Sequence, residues 1–381
     1  MNFWIFSGIL TVIIHLHLFF FSLSNCIQVR HGQCAVSAYG FQVFAALCCA
    51  IGKQSECCRY AHLGLKVLER YQIQEWTPRV FTMAYGVNLF LTQPLETLSD
   101  PLIHAHQVGL GTGDFEFAMV AAYIHSLLTF FLGKPLLKVE KVISHYLLLM
   151  TEYKQDQYFN VTTPMLQAVE NLAGRSKDPI VLTGNVMNQG AALQIINESK
   201  DQSFEVIFSF WRLYLAYMFH NYELASEMAI TSRPTAFIYG LHQCLFDGLT
   251  AVAIGQTSKR WEKRKCIKSA EKSLKKAKKV TQSQHTAMNK IFLLKAEIAL
   301  LKSGMDSALP LYELSIELAK SSGFVHEEAL ANERAGLALL HLNTEDSFGF
   351  SFLQNAIKLY EDWGAHAKVA HLAKLFPKLA S

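Results

Sequence analysis

The chain has 381 residues, 51% hydrophobic and 17% charged, with 35 Lys and Arg against 31 Asp and Glu for a net charge of +4. This composition excludes a disordered tail or a collagen-like fibre, and nine Pro argue against a loop-rich all-β chain. With so few charges, the body must bury much of its surface in itself or in a partner.

The first element, residues 3–23, is an uncharged run of about the ~20 residues that cross a bilayer as a helix. Ser22 and Ser24 stand as small residues at the −3 and −1 positions of a signal cleavage before Asn25. However, no Lys or Arg precedes the run, and His15 and His17 interrupt it. Residues 1–26 therefore carry three readings: a cleaved signal, an uncleaved anchor, or a spurious leader on a truncated gene model. The sequons at Asn160 and Asn197 matter for glycosylation only if the chain is secreted. Eight Cys do not form a secreted disulfide framework or a zinc spacing; Cys48, Cys49, Cys57 and Cys58 sit in apolar or helical surroundings and read as small buried hydrophobes.

From about residue 36 the chain reads as helix after helix, without strand alternation. Hairpins are expected at 36–70, 79–112, 114–155, 203–232 and 234–281, then at 285–323 and 325–364. Gly52-Lys53, Gln93-Pro94, Gly133-Lys134-Pro135, Asn221 and Gly304 divide the hairpins internally; Gly113-Asp114 and Gly323 separate neighbours. In the last hairpin, Leu353, Ala356, Ile357, Tyr360 and Trp363 form one apolar stripe, Gly364 terminates the helix, and Thr344 is the expected N-cap with Glu345 and Asp346 in the first turn. Aligning Leu311–Gly323 with Phe352–Gly364 reveals an internal period of 41 residues. Residues 285–303 carry two apolar stripes, and 325–342 are rich in Ala, as expected of first helices packed from both sides. The expected fold is an all-α superhelical array of about seven helical hairpins, a tetratricopeptide-like solenoid. Residues 33–174 form an N-terminal sub-array, 175–202 a loop or insertion, and 203–376 a C-terminal sub-array closed by a capping helix.

The segments that could carry chemistry read mainly as structure. Gly109-Leu110-Gly111-Thr112-Gly113 lies between helices rather than between a strand and a helix, and no nucleotide-loop, kinase, zincin or hydrolase motif occurs. His104 with His106, His366 with His371, and His326-Glu327-Glu328 have no ligand spacing and read as surface or capping histidines. No catalytic, metal or cofactor site is expected. Residues 258–279 hold eleven Lys or Arg and two Glu, a local charge of +9. Trp261, Ile267, Ala270, Leu274 and Ala277 are expected to pack. Lys259, Arg260, Lys263, Arg264, Lys268, Lys272, Lys275 and Lys276 read as a solvated face or a site for an acidic partner.

Residues 109–136, 285–304, 308–340 and 356–372 resemble the tetratricopeptide-like helical region of multidomain signalling proteins. In these hybrids a serine/threonine kinase and an AAA-type ATPase precede the region, and a GAF domain and a sensor histidine kinase follow. The resemblance spans 33–376 and omits every catalytic module. It implies a non-catalytic interaction scaffold, cytoplasmic, with a protein or peptide partner and no cofactor; nucleic acid is disfavoured, and any membrane contact is confined to residues 3–23. The alternative, if the leader is genuine, is a membrane-tethered or secreted repeat protein with an extracellular partner.

Overall fold

The computed structural model describes residues 34–90, 92–199, 202–231, 238–280, 287–342 and 347–379. The leader and the expected cap at Thr344, Glu345 and Asp346 lie outside the described residues. Among the described residues the fold is all-α, a tetratricopeptide-like array of helical hairpins with no strand. Its pairs are α1 (Ala35–Ala50) with α2 (Gln54–Tyr71), α3 (Thr77–Met83, prolonged by a π turn over Ala84–Asn88) with α4 (Ser99–Thr112), and α5 (Phe115–Phe131) with α6 (Leu136–Glu152). After α7 (Asp156–Leu172) and α8 (Gln189–Ser199) come α9 (Gln202–Met218) with α10 (Tyr222–Thr231), and α11 (Ile238–Thr257) with α12 (Arg260–Val280). Then follow α13 (Met288–Ser303) with α14 (Met305–Ser321), α15 (Val325–Leu342) with α16 (Ser347–Trp363), and a terminal α17 (His366–Leu375).

The chain divides into two compact units, one of residues up to 128 with 148–159, the other of 129–147 with 160–381. In the first, α1 and α2 approach so closely that a Cβ on Gly64 would lie 2.8 Å from the Ala38 carbonyl oxygen. The Gln42 side chain satisfies the polar groups there. Its Nε2 donates to the Ala61 carbonyl at 2.8 Å, and Asn88 Nδ2 from the π turn donates back to Gln42 Oε1 at 2.9 Å. Cys48 and Cys57 are buried, Cys49 and Cys58 half-buried, and all four are free thiols in a largely apolar cluster.

In the second unit, the 41-residue period maps burial onto burial. Ala308, Tyr312, Ser315 and Ala319 are the buried residues of α14; Gly349, Leu353, Ala356 and Tyr360, each 41 residues on, are buried in α16. Both helices end on a left-handed glycine, Gly323 at φ 69° and Gly364 at φ 92°, where the missing Cβ removes the penalty on positive φ. Residues 175–188 carry no helix and are stitched onto α7. Asn171 Nδ2 donates to the Pro179 and Val181 carbonyls, while Gln167 Oε1 accepts from the Val186 and Met187 amides. Arg175 holds Glu170 and Glu140 at 2.7 and 2.6 Å. Of the sequons, Asn160 is half-buried in α7 and Asn197 is exposed on α8.

One feature departs from an array in which each hairpin meets only its neighbours. Trp363, 1% exposed, donates from Nε1 to the Lys134 carbonyl at 3.1 Å, stacks on His326, and meets Phe130 edge-on. The indole therefore covers the α5–α6 turn and α15, rather than only the junction with the terminal helix expected from its place at the end of the stripe.

Candidate functional site

The basic segment folds as α12, because it spaces small and apolar residues at helical intervals. Ala270, Ser273 and Ala277 are buried, and Leu274 and Ala277 pack with Leu241 and Cys244 of α11 and Ile291 of α13. Lys259, Arg260, Arg264, Lys268, Lys272, Lys275 and Lys276 are exposed, while Lys263 is half-buried toward the packed side. Trp261 is 56% exposed instead of joining the packed stripe, and Lys265 Nζ lies 4.3 Å from its ring centroid. At 100° per residue, Trp261, Lys265, Lys268, Lys272, Lys275, Lys276 and Lys279 fall along one face, a line about 27 Å long. Glu271, at the edge of this face, pairs with Lys302 of α13 at 2.8 Å. Burial, followed by the neighbouring Lys278, pushes the Lys295 ammonium below its ordinary value. Sequence reading omitted Lys265 and Lys279; helical phase alone would have added them.

A second constellation, missed by sequence reading, is a buried charged network on α15. Its first part joins Glu297 of α13, fully buried, to Arg334: Nε reaches Oε1 at 2.6 Å and Nη2 reaches Oε2 at 3.1 Å. Tyr312 donates to the same carboxylate at 2.9 Å, and Arg334 Nη1 donates to the Tyr222 hydroxyl. Burial alone would lower the Arg334 pKa, but Glu297, with Tyr217 and Tyr222 beside it, raises it well above the ordinary value.

In the second part, Glu327 Oε2 accepts from Lys290 Nζ at 2.7 Å and from Asn289 Nδ2 at 2.5 Å, while His242 and His326 face Oε1 at 3.4 and 3.7 Å. Burial would raise this carboxyl; Lys290 and the imidazoles reverse the effect and hold it well below the usual carboxylate range. His326 is itself pushed down to about 4, chiefly by burial. The cavity beside these groups, lined by Phe131, Tyr214, His242, His326, Glu327 and Leu330, is about 10 Å³, room for the centre of one water.

The third part is Glu333. Lys368 Nζ donates to its Oε1 at 2.6 Å and to the Met218 carbonyl, His220 Nε2 donates to Oε1 at 2.6 Å, and Tyr360 donates to Oε2 at 2.7 Å. Lys368 is 0% exposed.

His326 is thus buried rather than a surface or capping residue. His106 is also buried, its Nδ1 2.9 Å from the Ala118 carbonyl. His106 packs because an imidazole nitrogen paired with a carbonyl is cheap to bury, whereas His326 packs by its ring, stacked on Trp363 and edge-on to Phe130. Among the described residues, no group of His, Cys, Asp and Glu is arranged to hold a metal ion, and no helix is long and apolar enough to cross a membrane. Each of the three carboxylates is paired with a cation of the chain, Glu297 with Arg334, Glu327 with Lys290 and Glu333 with Lys368, so the network joins α13, α15 and α17. No protein-family model and no curated protein matches the chain.

Proposed function

We propose that this protein is a non-catalytic interaction scaffold that holds an acidic protein segment along the exposed face of α12, in the manner of the regulatory helical arm of signalling ATPase and histidine-kinase hybrids. The observation that carries the reading is the line of same-sign charge from Lys265 to Lys279 on a helix whose other side is committed to packing. Such a line produces a field that attracts an extended or helical acidic segment. A protein segment is favoured over nucleic acid because Trp261 is the only aromatic residue on that face, and base recognition needs stacking platforms.

The test is titration of the purified chain with a fluorescently labelled acidic peptide of about 20 residues, enough to span the face as a helix. Affinity is expected to fall at least about tenfold between about 50 and about 200 mM salt, because exposed charges are screened beyond ~8 Å. Reversing Lys265, Lys268, Lys272 and Lys276 to Glu should abolish binding and leave the helical circular dichroism unchanged. Unchanged binding would remove the proposal.

The same reading expects no phosphoryl chemistry. ATP turnover by the purified chain should equal that of a mock preparation; turnover that survives further purification would contradict it.

A further inference from the structure

The terminal helix α17 is held by its own polar side chains to elements distant in sequence. Lys368 reaches from α17 to Glu333 on α15 and to the Met218 carbonyl at the end of α9. Beside it stands His220, in the turn between α9 and α10, with a left-handed backbone at φ 61°. His220 Nε2 lies 2.6 Å from Glu333 Oε1, so that nitrogen carries the proton and Nδ1 is left as an acceptor. His371 of α17 supplies the donor, its Nε2 3.4 Å from His220 Nδ1. The result is a chain from half-buried His371 through His220 to the fully buried Glu333 carboxylate, with the Lys368 ammonium 3.3 Å from His220 Nε2.

We propose that α17 is an acid-released latch: it docks through Lys368 at neutral pH, and proton uptake by His371 and His220 beside that lysine undocks it. The arrangement has room for one cation. His371 faces Lys368 and Lys374 on its own helix, His220 from the turn, and Glu333 from α15; His220 faces Glu333 and Arg334 of α15, Lys368 and His371 of α17, and Tyr222 of α10. Glu333 is the only anion among them, and Lys368 already uses it. Protonation of His220 would also place a proton on Nδ1 and remove the acceptor that His371 Nε2 meets there.

The sign follows from the two imidazoles. Burial first, then Lys368, pushes both below the ordinary 6.5, His371 to about 4. Once α17 undocks they return toward that ordinary value, so between about pH 6.5 and about pH 4 the undocked state binds more protons and docking weakens as pH falls. The full shift of His371 would weaken docking about thirtyfold at about pH 5; its half-exposure reduces this to about tenfold. Release would uncover Leu372, 0% exposed, and Phe219, 5% exposed, whose ring meets His371 edge-on at 5.5 Å.

Amide exchange of the full chain at about pH 7 and about pH 5, corrected for the intrinsic chemical rate, tests the latch. The expected result is an approximately tenfold rise in opening of residues 366–375 at the lower pH, with α13 and α14 essentially unchanged. His371→Gln should flatten that response, and His341→Gln, outside the network, should leave it intact. Equal protection of α17 at both pH values would overturn the proposal, as would a response that persists in His371→Gln or a loss spread evenly over α13 to α17. His371 is half-buried, so His371→Gln leaves the buried Lys368–Glu333 anchor in place and the fold intact for the test.

Discussion

Glu297→Gln is expected to destabilise the second unit by about 3 to 5 kcal/mol, the typical cost of removing one partner from a buried ion pair. Glu297 is fully buried, the Arg334 side chain is 4% exposed, and the two are joined by two hydrogen bonds. The amide still accepts one bond but leaves the guanidinium without a counter-charge in a region that water does not reach. By contrast, Lys302→Ala should cost at most about 1 kcal/mol, because Lys302 and Glu271 are each nearly half exposed. Replacing both partners, as in Glu297→Leu with Arg334→Leu, should recover part of the loss. Recovery stays incomplete because the hydroxyls of Tyr312 and Tyr222 lose their partners, at about 1 to 3 kcal/mol for each one that stays buried and unpaired. Urea unfolding followed by far-ultraviolet circular dichroism measures all three. A Glu297→Gln loss below about 1 kcal/mol would mean that water reaches the pair.

The same network explains which parts of the molecule are legible in the sequence. The period of 41 residues is legible because α14 and α16 each bury one face, so the positions that must be apolar or small repeat, and a glycine closes each helix. The turns are legible because Gly and Pro act locally. The charges of α15 are not. Glu327, Glu333 and Arg334 look like the solvated side of an amphipathic helix, but every residue from Ala329 to Gly336 is buried. The density of small residues, Ala329, Ala331, Ala335, Gly336 and Ala338, was the available signal: it lets neighbouring helices approach closely, and any charge the helix carries there must then be paired inside. Lys290 and Glu297 of α13 fall between two apolar stripes for the same reason. The contact of Trp363 with Lys134 joins residues far apart in the chain and leaves no periodic trace, so only the fold reveals it. On α12, helical phase separates the face from the packed side, but Trp261 shows the limit of the method. It lies within the exposed face by phase, and only its apolar character suggested burial.

Trp363→Ala is expected to cost about 3 to 5 kcal/mol, because the indole is 1% exposed and no other side chain can fill its place between Phe130 and His326. Where the loss falls separates two views of the fold. In a strictly nearest-neighbour array, only α15 to α17 would loosen. Since the ring also covers the α5–α6 turn, amide protection should fall at 130–136 as well, while α1 to α3 keep theirs. Trp363→Phe isolates the hydrogen bond: it keeps an aromatic ring against Phe130 and gives up the Nε1 donor, leaving the Lys134 carbonyl without that partner, so about 1 kcal/mol is expected. Gly364→Val tests the adjoining backbone. A Cβ there would sit 3.6 Å from the Leu136 Cβ, an ordinary contact, so its cost is conformational rather than steric. Holding a β-branched residue at φ 92° should cost at least about 1 to 2 kcal/mol. If Trp363→Ala unfolds with wild-type stability, the ring faces water and both the register of α16 and the contact with the α5–α6 turn are wrong. If it is destabilised with full protection kept at 130–136, the register stands and the long-range closure does not.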